Sequence, residues 1–264
     1  MKTWKLIVEE APLRGSRNMA VDEYLFFAAR RESATFLRFY RWERPTASLG
    51  YSQDAARAAN LDFCRSNGID VVRRMTGGKL VLHHRELTYS LASSDAGTFT
   101  GTLRESYRRI SLGLLRGLEL MGLDARLAPA SPPAYARATM PCFAFPARDE
   151  IEIGGLKIVG SAQKRTGPAF LQHGSVPLEK DEELLKGAAR SEAPDGGVRM
   201  TSLEEALGRP VPFVWAAERF SRGLAELFAV DLEPLALDGA AGEEIARIEA
   251  ERYGNEAWTL NRKA

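Results

Sequence analysis

The chain has 264 residues, of which 45% are hydrophobic, so it is long enough to bury a substantial core within one domain. Its 36 basic and 35 acidic side chains nearly cancel, which excludes a global electric field favouring nucleic acid or an anionic membrane as partner. Residues 1–10 lack the features of a signal peptide, no apolar run approaches the roughly 18 residues of a membrane span, and two cysteines give no disulfide framework, so we expect a cytoplasmic protein.

The first part of the chain is predicted to contain short strands around one helix. Residues 4–8 are typical of a strand, and residues 18–30 have apolar side chains near every third or fourth position, as in a helix with Asn18 as its N-cap. Residues 35–40 and 46–50 are rich in strand-forming side chains on either side of a proline break. We expect these last two segments to be neighbouring strands.

A glycine pair interrupts the next strand-like region. The sequence Arg-Arg-Met-Thr-Gly-Gly at residues 73–78 lies between the strand-like residues 70–74 and 79–84, which implies a glycine turn inside a sheet. Two cations beside flexible backbone suit an anionic or carbonyl-bearing ligand held by backbone N–H groups. An ordinary hairpin turn with a solvated basic edge remains the alternative, because the spacing differs from that of a P-loop.

The middle of the chain is predicted to pass from a helix to an irregular segment. Residues 102–122 place apolar side chains on one face at helical spacing, as in a helix that packs on the core. Residues 123–146 then hold five of the thirteen prolines, which interrupt both helix and sheet. Because long irregular loops in compact domains are often functional, we interpret this segment, with Cys142 near its end, as a site element.

The clearest hairpin signal lies at residues 150–159, where Gly154 and Gly155 separate two strand-like runs. A two-residue turn there places Lys157 opposite Glu152 on the same face of the sheet. One interpretation is an exposed cross-strand ion pair of little energetic value. The small residues 160–162 favour the other interpretation, a lysine beside a cleft, because they leave room for a ligand.

The combination of Cys142 and Lys157 suggests acyl transfer through a thioester. A cysteine reacts as its thiolate, and a nearby ammonium lowers a thiol pKa from its usual value of about 8.5 toward neutrality. A straight strand would hold Cys142 roughly 33 Å from the lysine's cross-strand partner, so contact requires the proline-bounded segment to fold back. A small buried hydrophobe is the alternative for Cys142, and it is the expected state of Cys64.

The three histidines do not form a metal-binding pattern. His83 and His84 are adjacent in a strand, so their side chains point to opposite faces and do not readily bind one metal ion. With only His173 besides, we expect no metal site. Residues 172–175, Gln-His-Gly-Ser, are suited to donating hydrogen bonds to a substrate carbonyl, although a structural histidine is an equally good interpretation.

The end of the chain is predicted to be helical, at residues 212–228 and 243–253. Strands therefore dominate early and helices later. This order indicates an α/β or α+β domain with a mixed sheet, not a regular βαβ repeat.

Taken as an ordered set, six segments resemble the lipoate-protein ligase and octanoyltransferase family, most closely its LipM-type octanoyltransferases. Each segment alone is weakly specific, but their order extends across most of the chain. They are residues 18–23; 44–50 with Gln53; 73–78 with His83 and 86–90; Cys142 with the phenylalanine after it; 157–163; and 171–175.

The resemblance implies a fold and a set of site residues. The fold is the biotin/lipoate protein ligase catalytic fold, a mixed β-sheet flanked by helices, formed by a single domain over residues 1–264 with C-terminal helices at 212–254 packed on it. Cys142 would be the acyl-thioester nucleophile, and Lys157 would lower its pKa and help to hold the acyl carbonyl. The residues implied in substrate binding are Arg73, Arg74, Thr76, Gly77, Gly78, His83, Gly160, Ser161, Ala162, His173, Gly174 and Ser175.

The resemblance also implies the reaction and its partners. An octanoyl group would pass from acyl carrier protein to a lysine of a lipoyl domain, such as the glycine-cleavage H protein or an E2 subunit, with no cofactor, metal, nucleic acid or membrane involved. ATP-dependent ligases of this fold generally have a third glycine where this chain has Lys79, which favours the transferase. The alternatives are an ATP-dependent lipoate-protein ligase, an octanoyl amidotransferase between lipoyl domains and, least favoured, a non-catalytic binding protein.

Overall fold

The structure of the protein is a computed structural model that describes residues 2–99, 101–129, 148–190 and 198–262. In these residues the strands are β1 Lys2–Val8, β2 Thr35–Tyr40, β3 Thr46–Leu49, β4 Asp70–Arg73, β5 Val81–His83, β6 Glu86–Ser93, β7 Arg126–Leu127, β8 Ile151–Ile153, β9 Leu156–Thr166, β10 Ala169–Pro177 and β11 Val230–Pro234. The α-helices are α1 Gly15–Glu32, α2 Ala55–Ala58, α3 Leu61–Ser66, α4 Leu103–Glu119, α5 Glu182–Ala188, α6 Leu203–Leu207, α7 Phe213–Phe228, α8 Gly239–Ile248 and α9 Glu256–Asn261, with a π-helical turn Glu249–Tyr253 after α8.

The strands form a large mixed sheet and a small one. The large sheet has the order β11-β1-β2-β6-β10-β9-β8-β7, in which β1 is parallel to both its neighbours and the remaining pairs are antiparallel. The small sheet has the order β4-β3-β5. The expected neighbouring pair at residues 35–40 and 46–50 is therefore wrong, because β2 and β3 belong to different sheets, and the 73–78 glycine turn does not close a hairpin, because β3 lies between β4 and β5.

Two layers of helix cover the large sheet. On one face, α4 and α7 pack on each other and on an apolar cluster that includes Leu37, Leu91 and Phe220. Gly117 and Gly223 let these two helices approach closely, since a Cβ on Gly223 would lie 2.3 Å from the backbone nitrogen of Gly117. The helix predicted at 102–122 is thus confirmed as α4.

The other face of the large sheet is covered by α1 and by the C-terminal helices, which enclose a second apolar cluster. Helix α1 begins at Gly15, so the expectation that Asn18 is its N-cap is wrong. Asn18 is buried inside the helix instead, and its side-chain amide donates to the carbonyls of Leu13 and Arg41. No helix in the described ranges is long and apolar enough to cross a membrane.

The hairpin predicted at 150–159 is confirmed, with both turn glycines at positive φ and Lys157 opposite Glu152. The register then shifts, because Ile151 pairs with Val159 and Ile158 is the extra residue of the bulge, with no pairing position in β8. In a regular strand Lys157 would face the same side as Val159, so this one-residue bulge moves the lysine to the opposite face. Lys157 thereby shares a face with Gly160 and Ala162, and that face adjoins the small sheet.

Candidate active site

A pocket lies between the large sheet, the small sheet and helix α1. Its volume is about 450 Å³, including the open mouth. The strands of both sheets supply most of its wall, and Gly78, between β4 and β5, supplies part of the rim. The lining residues are Met19, Tyr40, Ser48, Arg74, Gly78, Val81, His83, Thr88, Gly160, Ser161, Ala162, His173, Gly174 and Ser175.

The pocket has an exposed rim and a buried floor. Gly78 is exposed and Ala162 is half-buried at the rim, where a Cβ on Gly78 would lie 3.6 Å from that of Ala162. Tyr40, Ser48 and Thr88 are buried parts of the lining, which form the floor. The pocket is therefore open beside two small residues and enclosed by buried side chains elsewhere.

The structure brings most of the sequence-predicted binding residues to this pocket. Arg74, Gly78, His83 and the short runs 160–162 and 173–175 all line it. These residues come from three separate parts of the chain. Arg73, Thr76 and Gly77 lie outside the lining.

The guanidinium of Arg74 is held by backbone carbonyls. Its Nη2 donates to the carbonyls of Gly77 and Lys79 at 2.8 and 2.7 Å, and its Nη1 donates to the carbonyl of Ser48 at 2.7 Å. Arg74 therefore fixes the conformation of the glycine loop, residues 76–79, at the rim of the pocket. The same guanidinium also holds this loop against β3 through Ser48.

Arg73 points away from the pocket. It is buried, and its guanidinium donates to the carbonyls of Gly50 and Gln53 at 2.9 and 2.7 Å and to that of Thr259 at 2.9 Å. The two neighbouring arginines thus have different surroundings, although the sequence alone presents them as a pair of ligand-binding cations. Only Arg74 lies at the ligand cavity.

His173 links the glycine loop to helix α1. Its Nδ1 lies 2.8 Å from Oδ2 of Asp22 and its Nε2 lies 2.7 Å from Oγ1 of Thr76. Because an ionised carboxylate only accepts hydrogen bonds, Nδ1 carries the proton, and Nε2 of the neutral ring accepts from Thr76. Burial lowers the pKa of His173 despite the opposing effect of Asp22. The neutral ring is therefore the stable form.

The Asp22 carboxylate is ionised in this network. Burial acts to raise its pKa, but the hydrogen bond from His173 and the charge of Arg38 outweigh burial, so the pKa lies below its ordinary value. Nη1 of Arg38 donates to Oδ1 of Asp22 at 3.0 Å, and the hydroxyl of Tyr40 donates to Oδ2 at 3.1 Å. Asp22 consequently orients both His173 and a floor residue of the pocket.

His83 has a parallel arrangement on the other wall. Its Nδ1 lies 2.8 Å from Oε1 of Glu86, and its Nε2 lies 2.7 Å from Oγ of Ser48. Glu86 also accepts from Ser175 at 2.5 Å and from Thr88. The ring of Trp42 stacks on His83 at a centroid distance of 3.9 Å. The hydroxyl protons around the floor are thus committed to protein acceptors, which leaves mostly carbon surface for a ligand.

Gly174 occupies a position where no side chain fits. A Cβ there would lie 2.6 Å from both Oγ of Ser161 and Cε1 of Tyr89, and 2.7 Å from the carbonyl of Gly160. Oγ of Ser161 lies 2.7 Å from the Tyr89 hydroxyl, which accepts from Gln172. Burial raises the pKa of Tyr89 to about 12, so its hydroxyl is neutral.

Lys157 is buried in an ion pair with Glu150. Nζ lies 2.7 Å from Oε2 of Glu150, and both side chains are almost fully enclosed. The interpretation of Lys157 as part of an exposed pair with Glu152 is therefore wrong, since Glu152 pairs with Arg126 instead. The bulge explains the change of partner, because it turns the lysine inward toward Glu150.

The two cysteines differ in what the structure describes. Cys142 lies outside the described residues, and so does its predicted approach to Lys157. Cys64 is buried, as expected, and burial raises the pKa of its thiol. Among the described residues, no three side chains of His, Cys, Asp or Glu gather into a metal-binding group.

Several residues of the site were not singled out from the sequence, namely Asp22, Glu86 and Glu150. Asp22 and Glu86 fall within segments that carry the family resemblance, at 18–23 and 86–90. The alternation of Glu86, Thr88 and Ser90 along one strand is a signal that these side chains share a face. The pairing of Glu150 with Lys157 has no such signal, because it depends on the bulge.

Comparison with known proteins gives a family match and close relatives. The family model for the lipoyl protein ligase A/B catalytic domain matches residues 14–225. A protein of Symbiobacterium thermophilum named octanoyltransferase LipM is 35% identical over 98% of each chain. Another of that name, from Kyrpidia tusciae, is 37% identical over 99% of this chain and 100% of its own.

Solved structures show the same fold. A lipoate-protein ligase A bound with ATP has a TM-score of 0.84 at 23% identity, covering 98% of this chain and 99% of that one. A bipartite lipoate protein ligase from Thermoplasma acidophilum has a TM-score of 0.83 at 22% identity, covering 100% and 99%. The expected fold, a mixed sheet flanked by helices as in the lipoate-protein ligases, is confirmed, as is the family resemblance.

Proposed function

Because the chain belongs to the lipoyl protein ligase A/B catalytic domain family, we propose that it is an octanoyltransferase that works through an acyl-thioester on Cys142. The near full-length similarity to proteins named octanoyltransferase LipM supports the choice of acyl group. The proposal places the acyl chain in the pocket between the two sheets. The donor is octanoyl-acyl carrier protein, and the acceptor is a lysine of a lipoyl domain.

The observation that carries this proposal is the convergence of three family segments on one pocket. The runs 73–83, 160–162 and 173–175 meet there and supply most of its lining. The pocket has small residues at its rim and a buried floor whose hydroxyl protons are already bonded to protein groups. This shape suits a hydrocarbon chain whose carboxyl end remains at the rim.

Two acyl transfers would complete the reaction. The thiolate of Cys142 attacks the carbonyl carbon of the donor thioester, the bond from that carbon to the carrier sulfur breaks, and the carrier leaves as a thiol after taking a proton. The acceptor amine then attacks the new thioester, an amide bond forms, and the proton released by the amine returns to the Cys142 sulfur. No ATP is consumed, because the donor thioester supplies the driving force.

Lys157 would support both steps as a fixed positive charge. Its ammonium favours the thiolate of Cys142 and stabilises negative charge that develops on the acyl oxygen. Cys142 precedes Glu150 by eight residues, and an extended chain of that length spans at most about 28 Å, so the covalent chain allows the sulfur to reach Lys157. The Glu150 carboxylate would hold the lysine in place.

The acceptor is proposed from relatives. The Thermoplasma acidophilum ligase is described together with its E2 lipoyl domain. A lipoyl domain such as an E2 subunit or the glycine-cleavage H protein is therefore the proposed acceptor, and acyl carrier protein the proposed donor.

The test is intact-protein mass spectrometry after mixing the protein with octanoyl-acyl carrier protein without ATP. We expect an octanoyl adduct that is discharged by addition of a lipoyl domain and is lost in Cys142→Ser. Cys64→Ser is the matched control and should retain the adduct. An adduct that survives in Cys142→Ser would contradict the proposed nucleophile.

The same assay separates the alternative reactions. Octanoylation of the acceptor only from free octanoate plus ATP, insensitive to Cys142→Ser, would identify a ligase. An adduct formed from an octanoylated lipoyl domain but not from acyl carrier protein would identify an amidotransferase. Binding of octanoyl carrier protein without any transfer would identify a non-catalytic protein.

A further inference from the structure

The buried side chain of Arg73 joins two segments that are far apart in the sequence. Nη1 donates to the carbonyls of Gly50, Tyr51 and Gln53 at 2.9, 3.0 and 2.7 Å. On the other side, Nε donates to the carbonyl of Thr259 at 2.9 Å. A guanidinium has a rigid, planar set of donors, so these bonds fix the end of helix α9 relative to the turn at residues 50–53.

Helix α9 also holds the backbone of Arg73. Nε1 of Trp258 donates to the Arg73 carbonyl at 3.0 Å, and the Trp258 ring lies 6.0 Å from that of Tyr51. Helix α9 thus contacts the guanidinium and the backbone carbonyl of Arg73. It also contacts the turn at residues 50–53, which Arg73 supports. Its short length does not limit this role, because the contacts are made by the tryptophan and by the final carbonyls of the helix.

The turn at 50–53 supports the glycine loop from outside. The backbone nitrogen of Tyr51 donates to the carbonyl of Thr76 at 2.8 Å. Gly50 lies so close that a Cβ on it would be 2.0 Å from the carbonyl oxygen of Gly78. The position of Gly78 at the rim of the pocket therefore depends on the turn, and the turn depends on Arg73.

We propose that helix α9 positions the rim of the acyl pocket through Arg73 and the turn at residues 50–53. Trp258 and Arg73 are positioning residues, because neither lines the pocket. The family model matches residues 14–225, and α9 lies C-terminal to that match. In this protein the C-terminal helix nevertheless completes the support of the glycine loop, which Arg74 provides from the inside.

The proposal predicts that a change in α9 is transmitted to the loop. Trp258→Phe keeps an aromatic ring but removes the donor to Arg73, and Gly50→Ala displaces the same loop directly. For both variants we expect amide hydrogen exchange at Tyr51 and at residues 76–79 to become at least about fivefold faster, the effect of losing one hydrogen bond, with β6 and β10 unchanged. Arg247→Gln, in an exposed ion pair on α8, is the matched control.

A kinetic measurement completes the test and rests on the proposed function. We expect the KM for octanoyl carrier protein to rise about fivefold in Trp258→Phe, with kcat changed less than about twofold, because ground-state placement of the acyl chain is lost. If the wild-type protein transfers no octanoyl group, the proposed function fails, while the exchange measurement still decides the role of α9.

Two outcomes would overturn the proposal. Faster exchange confined to α9 in Trp258→Phe, with Tyr51 and the loop unchanged, would show that the helix is not coupled to the rim. Faster exchange throughout β6 and β10 would show that the helix supports the whole fold and not the rim in particular.

Discussion

The ammonium of Lys157 and the carboxylate of Glu150 form a buried ion pair, with 2.7 Å between Nζ and Oε2. Removal of two charges from water is costly, and their attraction offsets that cost only while both are present. The bulge in β9 is what brings the two groups together, since it turns the lysine away from its cross-strand neighbour. The buried ion pair therefore depends on one irregular residue in a strand.

Glu150→Gln is expected to destabilise the protein, because it leaves a buried lysine charge without its carboxylate. We expect a loss of about 3 kcal/mol in the free energy of unfolding, measured by urea denaturation at neutral pH. Removal of one partner of the exposed pair between Arg247 and Glu251, in Arg247→Gln, should cost less than about 0.5 kcal/mol. Equal losses in the two variants would contradict the importance of the buried pair.

The sequence was sufficient for the parts of the site that follow from local rules. The turn at Gly154 and Gly155 determines that Lys157 lies opposite Glu152. This pairing depends only on residues within a few positions of the turn. The partner of the lysine was not predictable, because it depends on the bulge at Ile158. The same limit applies to His173 and Asp22, which meet across 151 positions of the chain only after β10 packs on α1.

The different environments of Arg73 and Arg74 show a second limit. Both arginines were expected to bind substrate, but neighbouring residues in a strand point to opposite faces, and only Arg74 of the two lines the pocket. The sequence does not show which face of the strand points toward the pocket. The carbonyls around Arg73 come from a turn and from a C-terminal helix, and neither is recognisable from the motif itself.

Gly174→Ala is expected to damage the site and the fold together. The added Cβ would lie 2.6 Å from Tyr89 and 2.7 Å from the carbonyl of Gly160, and neither neighbour is a flexible chain end. We expect a loss of about 1–3 kcal/mol in urea denaturation and a marked loss of octanoyl transfer.

Gly242→Ala is the matched control for that substitution. Gly242 lies within helix α8, where the nearest atom to an added Cβ is 3.9 Å away, so the change should stabilise the protein by up to about 1 kcal/mol through helix propensity. If Gly174→Ala were as stable and active as the wild type, the close packing between β9 and β10 would be refuted.

His173 is expected to make stability depend on pH in mildly acidic solution. Its pKa is lowered by burial in the folded protein and lies near 6.5 in the unfolded chain, so between these values only the unfolded chain binds the proton. Stability should therefore rise with pH through this window and level off above about 6.5, with a slope of at most about 1.4 kcal/mol per pH unit from this group.

His173→Gln tests this dependence by removing the titrating ring. Urea denaturation of both proteins at several values between about pH 5 and pH 7 should show a shallower rise with pH in the variant. The difference between the two curves isolates His173 from the other two histidines. Parallel curves would mean that the folded protein protonates His173 as readily as the unfolded chain.

The two cysteines are expected to react with iodoacetamide at very different rates in the folded protein. Burial raises the pKa of Cys64 and blocks access to its sulfur, so its alkylation should be slow. In the proposed mechanism Cys142 is a reactive thiolate beside Lys157, and we expect it to be alkylated at least about tenfold faster near pH 7, as measured by peptide mass spectrometry.

Lys157→Met should slow alkylation of Cys142 without affecting Cys64, because it removes the charge that favours the thiolate. Denaturation in urea should make the two rates similar, which controls for intrinsic differences between the peptides. Preferential alkylation of Cys64 in the folded protein would contradict both the burial of that thiol and the activation of Cys142.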